Sequence, residues 1–274
     1  MRISLSAVAL AGSALVSFAQ WPSFHSTEGP RTPDGKIDLT APAPRTADGK
    51  PDFTGVWGLV RGPGRGAGQG NQAPPPQPSD GPPLATFGNI GAGFKDGLPL
   101  QPWAAELLAK RRADNSKDNP DAHCLPMGLM QFHMHPQPRK ILQTSREIAI
   151  IYEANHGLRQ IYLDGRPLPG NDPDPWWYGY SVGHWEEDTL VVETTGYRDD
   201  LWLDVWGSPM TSAARTIERF RRPNFGTMQI DVTIDDPKAY TKPFTVRVNH
   251  RLSPDNELME FICQDRDAIH YVGK

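Results

Sequence analysis

The feature that most constrains this chain is a strict two-residue alternation of apolar and polar side chains near its C-terminal end. Met228, Ile230, Val232 and Ile234 alternate with Gln229, Asp231, Thr233 and Asp235. Phe244, Val246, Val248, His250 and Leu252 alternate in the same way with Thr245, Arg247, Asn249 and Arg251. Successive side chains of a strand point to opposite faces, so this is the pattern of half-buried strands. Shorter candidates cover 53–60, 140–144, 147–154, 158–164, 180–186, 189–197, 213–221 and 258–264. Turn signals such as Asn155-His-Gly157, Asp164-Gly165, Asp235-Asp-Pro237 and Pro254-Asp-Asn256 separate them. Such a series of short strands in a meander implies a mainly β fold, an antiparallel barrel of about 8–10 strands. One helix is expected over about 102–113, where Pro102 sits in a first turn and basic residues gather at the C-terminal end.

The N-terminal third is organised differently. Residues 1–19 carry one early basic residue, an apolar stretch and small residues before Gln20, the pattern of a secretory signal peptide. Residues 20–52 form an extended arm with a two-copy repeat, Arg31-Thr-Pro-Asp-Gly-Lys36 and Arg45-Thr-Ala-Asp-Gly-Lys50, each holding an Asp-Gly turn. Much of the excess of 28 Pro and 26 Gly in 274 residues lies in this arm and in the run 61–83, which cannot bury apolar area and is expected to be a flexible loop. The expected organisation is therefore a signal peptide, an arm and a single barrel domain over 53–274, interrupted by that loop and the helix.

Charge and cysteine content narrow the partners. Net charge is −4 with no basic stripe, which speaks against nucleic acid, and no apolar run after the N-terminus approaches the roughly 20 residues of a membrane span. An exported chain with two cysteines, Cys124 and Cys263, invites one disulfide joining distant parts of the sequence. The location implied is the periplasm or the extracellular space.

Gly55-Val56-Trp57, on the first predicted strand, is similar to the Gly-x-Trp opening of lipocalins, in which an Arg from a late strand packs over the Trp; Arg247 or Arg251 would be that Arg. A longer set also carries a resemblance: the repeated arm, Ala122-His-Cys-Leu-Pro126, the run Tyr180 to Gly196, Glu218-Arg-Phe-Arg-Arg-Pro223 and the run Asp235 to Phe244. Together these resemble a largely uncharacterised family of exported bacterial proteins, which brings no established activity. The family pattern has Gly-His-Pro-His-Ser and an acid after a Trp-Leu-Asp step. Here the matching residues are Gly207-Ser-Pro-Met-Thr-Ser212, without His or acid. The resemblance to lipocalins implies a lipocalin/calycin-like barrel.

Three constellations could carry chemistry. His133-Met134-His135, if extended, would turn both imidazoles to one side and hold Zn or Cu, with His184, Glu186, His250 or His123 supplying a third ligand. Pro175-Trp-Trp-Tyr-Gly-Tyr180 with Trp185, Trp202 and Trp206 supplies flat apolar faces with polar handles, suited to an amphipathic, aromatic or sugar-like ligand, or to plugging a barrel end. Glu193 and Glu218 interrupt apolar runs and each needs an Arg or Tyr partner or a raised pKa, the expected partners being Arg219, Arg221, Arg247 or Arg251. Asp199, Asp200 and Asp204 read as turn residues. Phosphate loop, dinucleotide fingerprint and zincin helix are absent from the sequence.

The favoured reading is a binding protein with Trp57, Trp176, Trp177, Tyr178, Tyr180, Trp185 and His250 near a cavity. The alternative is a metal-assisted or acid/base enzyme, a hydrolase, lyase or isomerase, with His184, Glu186 and Glu193 as catalytic groups and His133, His135 and His184 as metal ligands. A third reading is an envelope interaction protein using the arm.

Overall fold

The computed structural model describes residues 26, 28–60, 81–170, 174–261 and 263. The expected signal peptide and most of the 61–83 run lie outside the described residues. In chain order the elements are β1 (Gly55–Leu59), α1 (Pro102–Ala113), α2 (Leu129–Met134), β2 (Arg139–Gln143), β3 (Glu147–Tyr152), β4 (Leu158–Tyr162), β5 (Tyr180–Glu186), β6 (Thr189–Thr195), β7 (Leu201–Trp202), β8 (Pro209–Met210), β9 (Arg215–Asn224), β10 (Thr227–Asp235) and β11 (Phe244–Leu252).

Nine of these strands close into a lipocalin-like barrel in the order β1-β11-β10-β9-β6-β5-β4-β3-β2, and β7 and β8 form a separate pair. Strand direction alternates around an antiparallel ring, so an odd number of strands forces one parallel neighbour pair. That pair is β4 and β5, where Ile161 faces Ser181 and Tyr162 faces Val182. The alternation of β10 and β11 has the consequence expected of it: Met228, Ile230, Val232, Ile234, Val246, Val248 and His250 are all buried inside.

Closure also explains why the described residues of 258–264, 258–261 and 263, form no strand. Both edges of β11 are taken, by β10 and by β1, so the chain beyond Leu252 finds no edge to extend, and its described residues are irregular.

One barrel end is closed by aromatic rings. Phe53 stacks on Trp185 with centroids 6.0 Å apart, and the fully buried Trp57 donates its indole N–H to the Phe53 carbonyl at 2.8 Å. The guanidinium over Trp57, at 4.9 Å, is that of Arg222 on β9, not Arg247 or Arg251. Side-chain parity decides this: Arg247 faces out and pairs with Asp231, while Thr216, Glu218, Phe220 and Arg222 form the inward row of β9.

The other end is plugged by α2. All six of its residues are buried, so His133 and Met134 lie on a short helix, not on an extended segment. Gly128, at φ 80, opens this turn. A helix buried all round shows no amphipathic period, and six residues are too few to reveal one.

The two arm repeats fold alike. In each, Arg31 or Arg45 donates to the carbonyl of the Gly four residues on, and the Thr N–H donates to the Lys carbonyl. The arm then lies along the β9–β10 turn, Phe225 and Gly226 donating to Ala41 and Leu39, and Arg45 pairs with Asp188 through two 2.7 Å contacts.

Cys124 and Cys263 are joined, closing a sequence separation of 139 residues. Replacing both by Ser should lower stability by about 2–4 kcal/mol, the typical range for a native disulfide closing a long loop. Urea unfolding measures this, and an unchanged midpoint would show that the bond only pins the irregular tail.

Candidate functional site

Inward parity brings ionisable groups into the barrel. Glu218 on β9, Arg159 on β4, Arg139 on β2, His250 on β11 and His133 on α2 are all 0–1% exposed. Arg159 grips both carboxylate oxygens of Glu218, at 3.0 Å to Oε1 through Nη1 and more closely to Oε2 through Nη2, and also donates to Ser181 and Thr194. His133 Nε2 lies 2.6 Å from Glu218 Oε1 and donates to it. Burial alone would raise the Glu218 carboxyl, but Arg159 and the His133 hydrogen bond outweigh it and hold the pKa at about 2.

Arg139 has no carboxylate within this group. Nη1 donates to the His133 carbonyl at 2.8 Å and to His250 Nε2 at 2.7 Å, and Nη2 donates to the His135 carbonyl at 3.0 Å. These are carbonyls at the C-terminal end of α2, where helical oxygens lack intrahelical partners. Burial lowers the Arg139 pKa only to about 10, so it stays protonated at neutral pH. His250 Nε2 also lies 2.8 Å from the His133 carbonyl, so the Arg139 guanidinium and that carbonyl meet at the same ring nitrogen. Burial pushes the His133 and His250 pKa values down. The assembly locks the plug helix to β2, β4, β9 and β11, and through Ser181 and Thr194 to β5 and β6, and lies out of reach of solvent.

Sequence expectation and structure diverge on Glu218. Its partner is Arg159; the four arginines named for it are not its partners. Arg219 pairs with Glu186 at 2.7 Å, and Arg221 and Arg247 both pair with Asp231. Arg251, two positions from Arg247, shares its outward parity. Arg159 is separated from Glu218 by 59 residues, and strand parity plus register would have been needed to find it.

The proposed catalytic and metal residues are not gathered. His184 and Glu186 stand on the exposed outer face, 3.5 Å apart, and Glu193 pairs with Arg215. His133 points into the barrel, whereas His135 packs edge-on against Phe87, with centroids 4.9 Å apart, and accepts from the Gln137 N–H. Burial and Arg139 together push the His135 pKa down to about 4. His123 contacts the Lys117 carbonyl. Among the described residues no group of three or more His, Cys, Asp or Glu is placed to hold a metal ion, so Zn or Cu has no assembled site there.

The aromatic residues separate into three places. Trp57 and Trp185 belong to the end plug, and Tyr178 packs inward on Phe132. His250 is committed to Arg139. The interior expected to hold a ligand is thus occupied by α2 and by side chains. Trp176 is 51% exposed on the outer wall near Tyr180. Trp177 lines an open groove of about 370 Å³ together with Trp202, α1 residues Leu107 and Arg111, and Arg198 and Asp200.

Each groove indole carries a guanidinium. Arg198 lies 4.1 Å from the Trp177 centroid and Arg111 lies 4.3 Å from that of Trp202. Arg111 is fixed further by its 2.9 Å hydrogen bond to the Gly207 carbonyl. Behind this wall, buried Asp204 accepts from the N–H groups of Ile90, Gly207 and Ser208 and from the Ser208 hydroxyl, which fixes the β7–β8 turn. Asp204 and Asp199, which accepts from Ser212 N–H, are turn residues as expected. The arginines of the groove escape a sequence reading because nothing local ties the last turn of α1 to a loop about 90 residues later.

Among the described residues no helix is long and apolar enough to cross a membrane. Comparison with family models, with curated proteins and with solved structures gives no match to this chain.

Proposed function

We propose that this chain is an exported β-barrel protein that binds a small amphipathic molecule, aromatic or sugar-like, in the groove between α1 and the Trp177–Trp202 wall. The observation that carries this reading is the half-buried Trp177 indole, held by the stacked Arg198 guanidinium at the wall of a solvent-open concavity that is backed by buried Trp202 under Arg111. Rings fixed in advance lose little freedom on binding, and the surrounding Lys117, Arg198 and Asp200 supply hydrogen bonds to a ligand's polar edge. Export rests on the pattern of residues 1–19 and is supported by the disulfide, which persists in oxidising compartments. Kinship with the exported family belongs to the same proposal, supported by the matching loops of the two arm repeats.

The test is titration of the purified protein with p-hydroxybenzoate and with cellobiose, followed by calorimetry. One of the two should bind saturably, and Arg198→Ala and Trp177→Ala should each weaken it roughly tenfold, about 1.4 kcal/mol. Absence of saturable binding for both, or parent-like binding in both variants, would remove the groove from consideration.

A further inference from the structure

The segment that supplies Trp177 to the groove also presents a second aromatic surface. Gly179, at φ 68, reverses the local backbone, and a Cβ there would meet Thr194 at 2.4 Å and Tyr197 at 2.8 Å. This tight turn lets Tyr178 pack inward while Tyr180 joins the outer wall. Tyr180 lies 5.3 Å from Tyr162 on the parallel β4–β5 pair, and 6.5 Å from the edge-on, half-exposed Trp176. Arg166 sits 3.8 Å over Tyr162, donates to the Tyr180 hydroxyl at 3.2 Å and is gripped by Asp164 through Nε and Nη2.

An exposed Trp beside two Tyr rings is the informative kind of exposed apolar surface, because its burial is forgone in the free protein. We propose that this ledge is a second binding site, taking a pyranose ring of a glycan on the free face of Trp176. The polar rim selects among ligand classes. Asp164 and Arg166 form a unit that is neutral as a pair, so it offers little to a nucleotide phosphate or to an anionic lipid headgroup. A lipid tail or aliphatic peptide side chain leaves both groups without new partners. A pyranose satisfies both halves: its axial C–H face stacks on the indole, and its vicinal hydroxyls donate to the carboxylate and accept from the guanidinium. The rim is already oriented, since the bidentate contact and the Tyr162 stack hold Arg166 in place.

The site is independent of the groove, whose residues lie on the Trp177 side of the segment. The test uses xylohexaose, cellohexaose and chitohexaose against the purified protein in calorimetric titration. At least one should bind saturably, Trp176→Ala should weaken it roughly tenfold, Trp176→Tyr should restore most of the affinity, and Arg198→Ala should leave it unchanged. Three results overturn the proposal: no saturable binding of any of the three, binding that survives Trp176→Ala, or binding lost with Arg198→Ala and retained with Trp176→Ala. The circular dichroism and melting curve of Trp176→Ala should match the parent, because the backbone hydrogen bonds of Trp176 to Gly196 and Arg198 do not involve the ring.

Discussion

Replacing Glu218 by Ala is expected to destabilise the fold by about 3–5 kcal/mol, the largest single-residue effect foreseen for this protein, because it leaves a buried charge without its partner. Arg159 is 1% exposed and, among the described residues, has no other carboxylate in hydrogen-bond contact; the Ser181 and Thr194 hydroxyls remain to it. His133 loses its hydrogen-bond acceptor at the same moment. Glu218→Gln should fare little better, since it preserves volume but removes the charge that Arg159 requires. The loss should shrink markedly when Arg159 is replaced as well. In the double variant Glu218→Leu/Arg159→Met, both charges are gone and the space is filled by apolar atoms, a change that is often neutral at buried pairs. Urea unfolding of the parent, Glu218→Leu, Arg159→Met and the double variant gives the coupling energy. A Glu218→Gln protein within about 1 kcal/mol of the parent would show that the buried pair does not hold the barrel and its plug together.

The contrast between what was legible in the chain and what was not follows from where each kind of information resides. Strands β10 and β11 announce themselves because one face is buried and the other is wet, so a local period of two survives in the sequence. The helix α1 is equally local, with Pro102 at its start and Lys110, Arg111 and Arg112 in its last turn. Plug helix α2 is hidden because every side is buried. The same uniform burial made His133 and His135 look like an extended pair. Arg222 over Trp57 and Arg159 on Glu218 are choices among several arginines that only inward or outward parity separates. A one-residue error in a strand's register would exchange the two sets. The groove was half legible: its indoles stand in an aromatic run, while Arg111 and Arg198 reach it from separate segments. Cys124–Cys263 was legible because a chain with two cysteines has one possible intramolecular pairing.

Acid should destabilise the protein increasingly below pH 6.5, because three buried imidazoles are kept neutral in the fold. His133, His135 and His250 all have pKa values below the ordinary 6.5, through burial and then the charges around them, with His135 down to about 4. In the unfolded chain each takes up a proton near pH 6.5, so the unfolded state binds more protons as pH falls. The sign is therefore fixed: this stability is fully present above pH 6.5 and is lost on acidification. An imidazole that stays neutral in the fold contributes a slope of up to about 1.4 kcal/mol per pH unit below pH 6.5, which for His135, with its pKa of about 4, adds up to about 3 kcal/mol by pH 4. Glu218 adds to the same trend lower down, since its pKa of about 2 against an ordinary 4.5 means that its contribution is lost between those values. A typical domain has about 5–15 kcal/mol in total, so His135 alone removes a substantial part of it. Unfolding free energy from urea titrations at half-unit pH steps gives the number of protons taken up from the slope, expected to exceed one between pH 6 and 4.5. Replacing His135 by Phe should reduce that number by one and move the acid midpoint down. A slope of less than one proton between pH 6 and 4.5 would mean that the barrel interior admits protons or water without opening, and that the buried imidazoles are not held neutral by their surroundings.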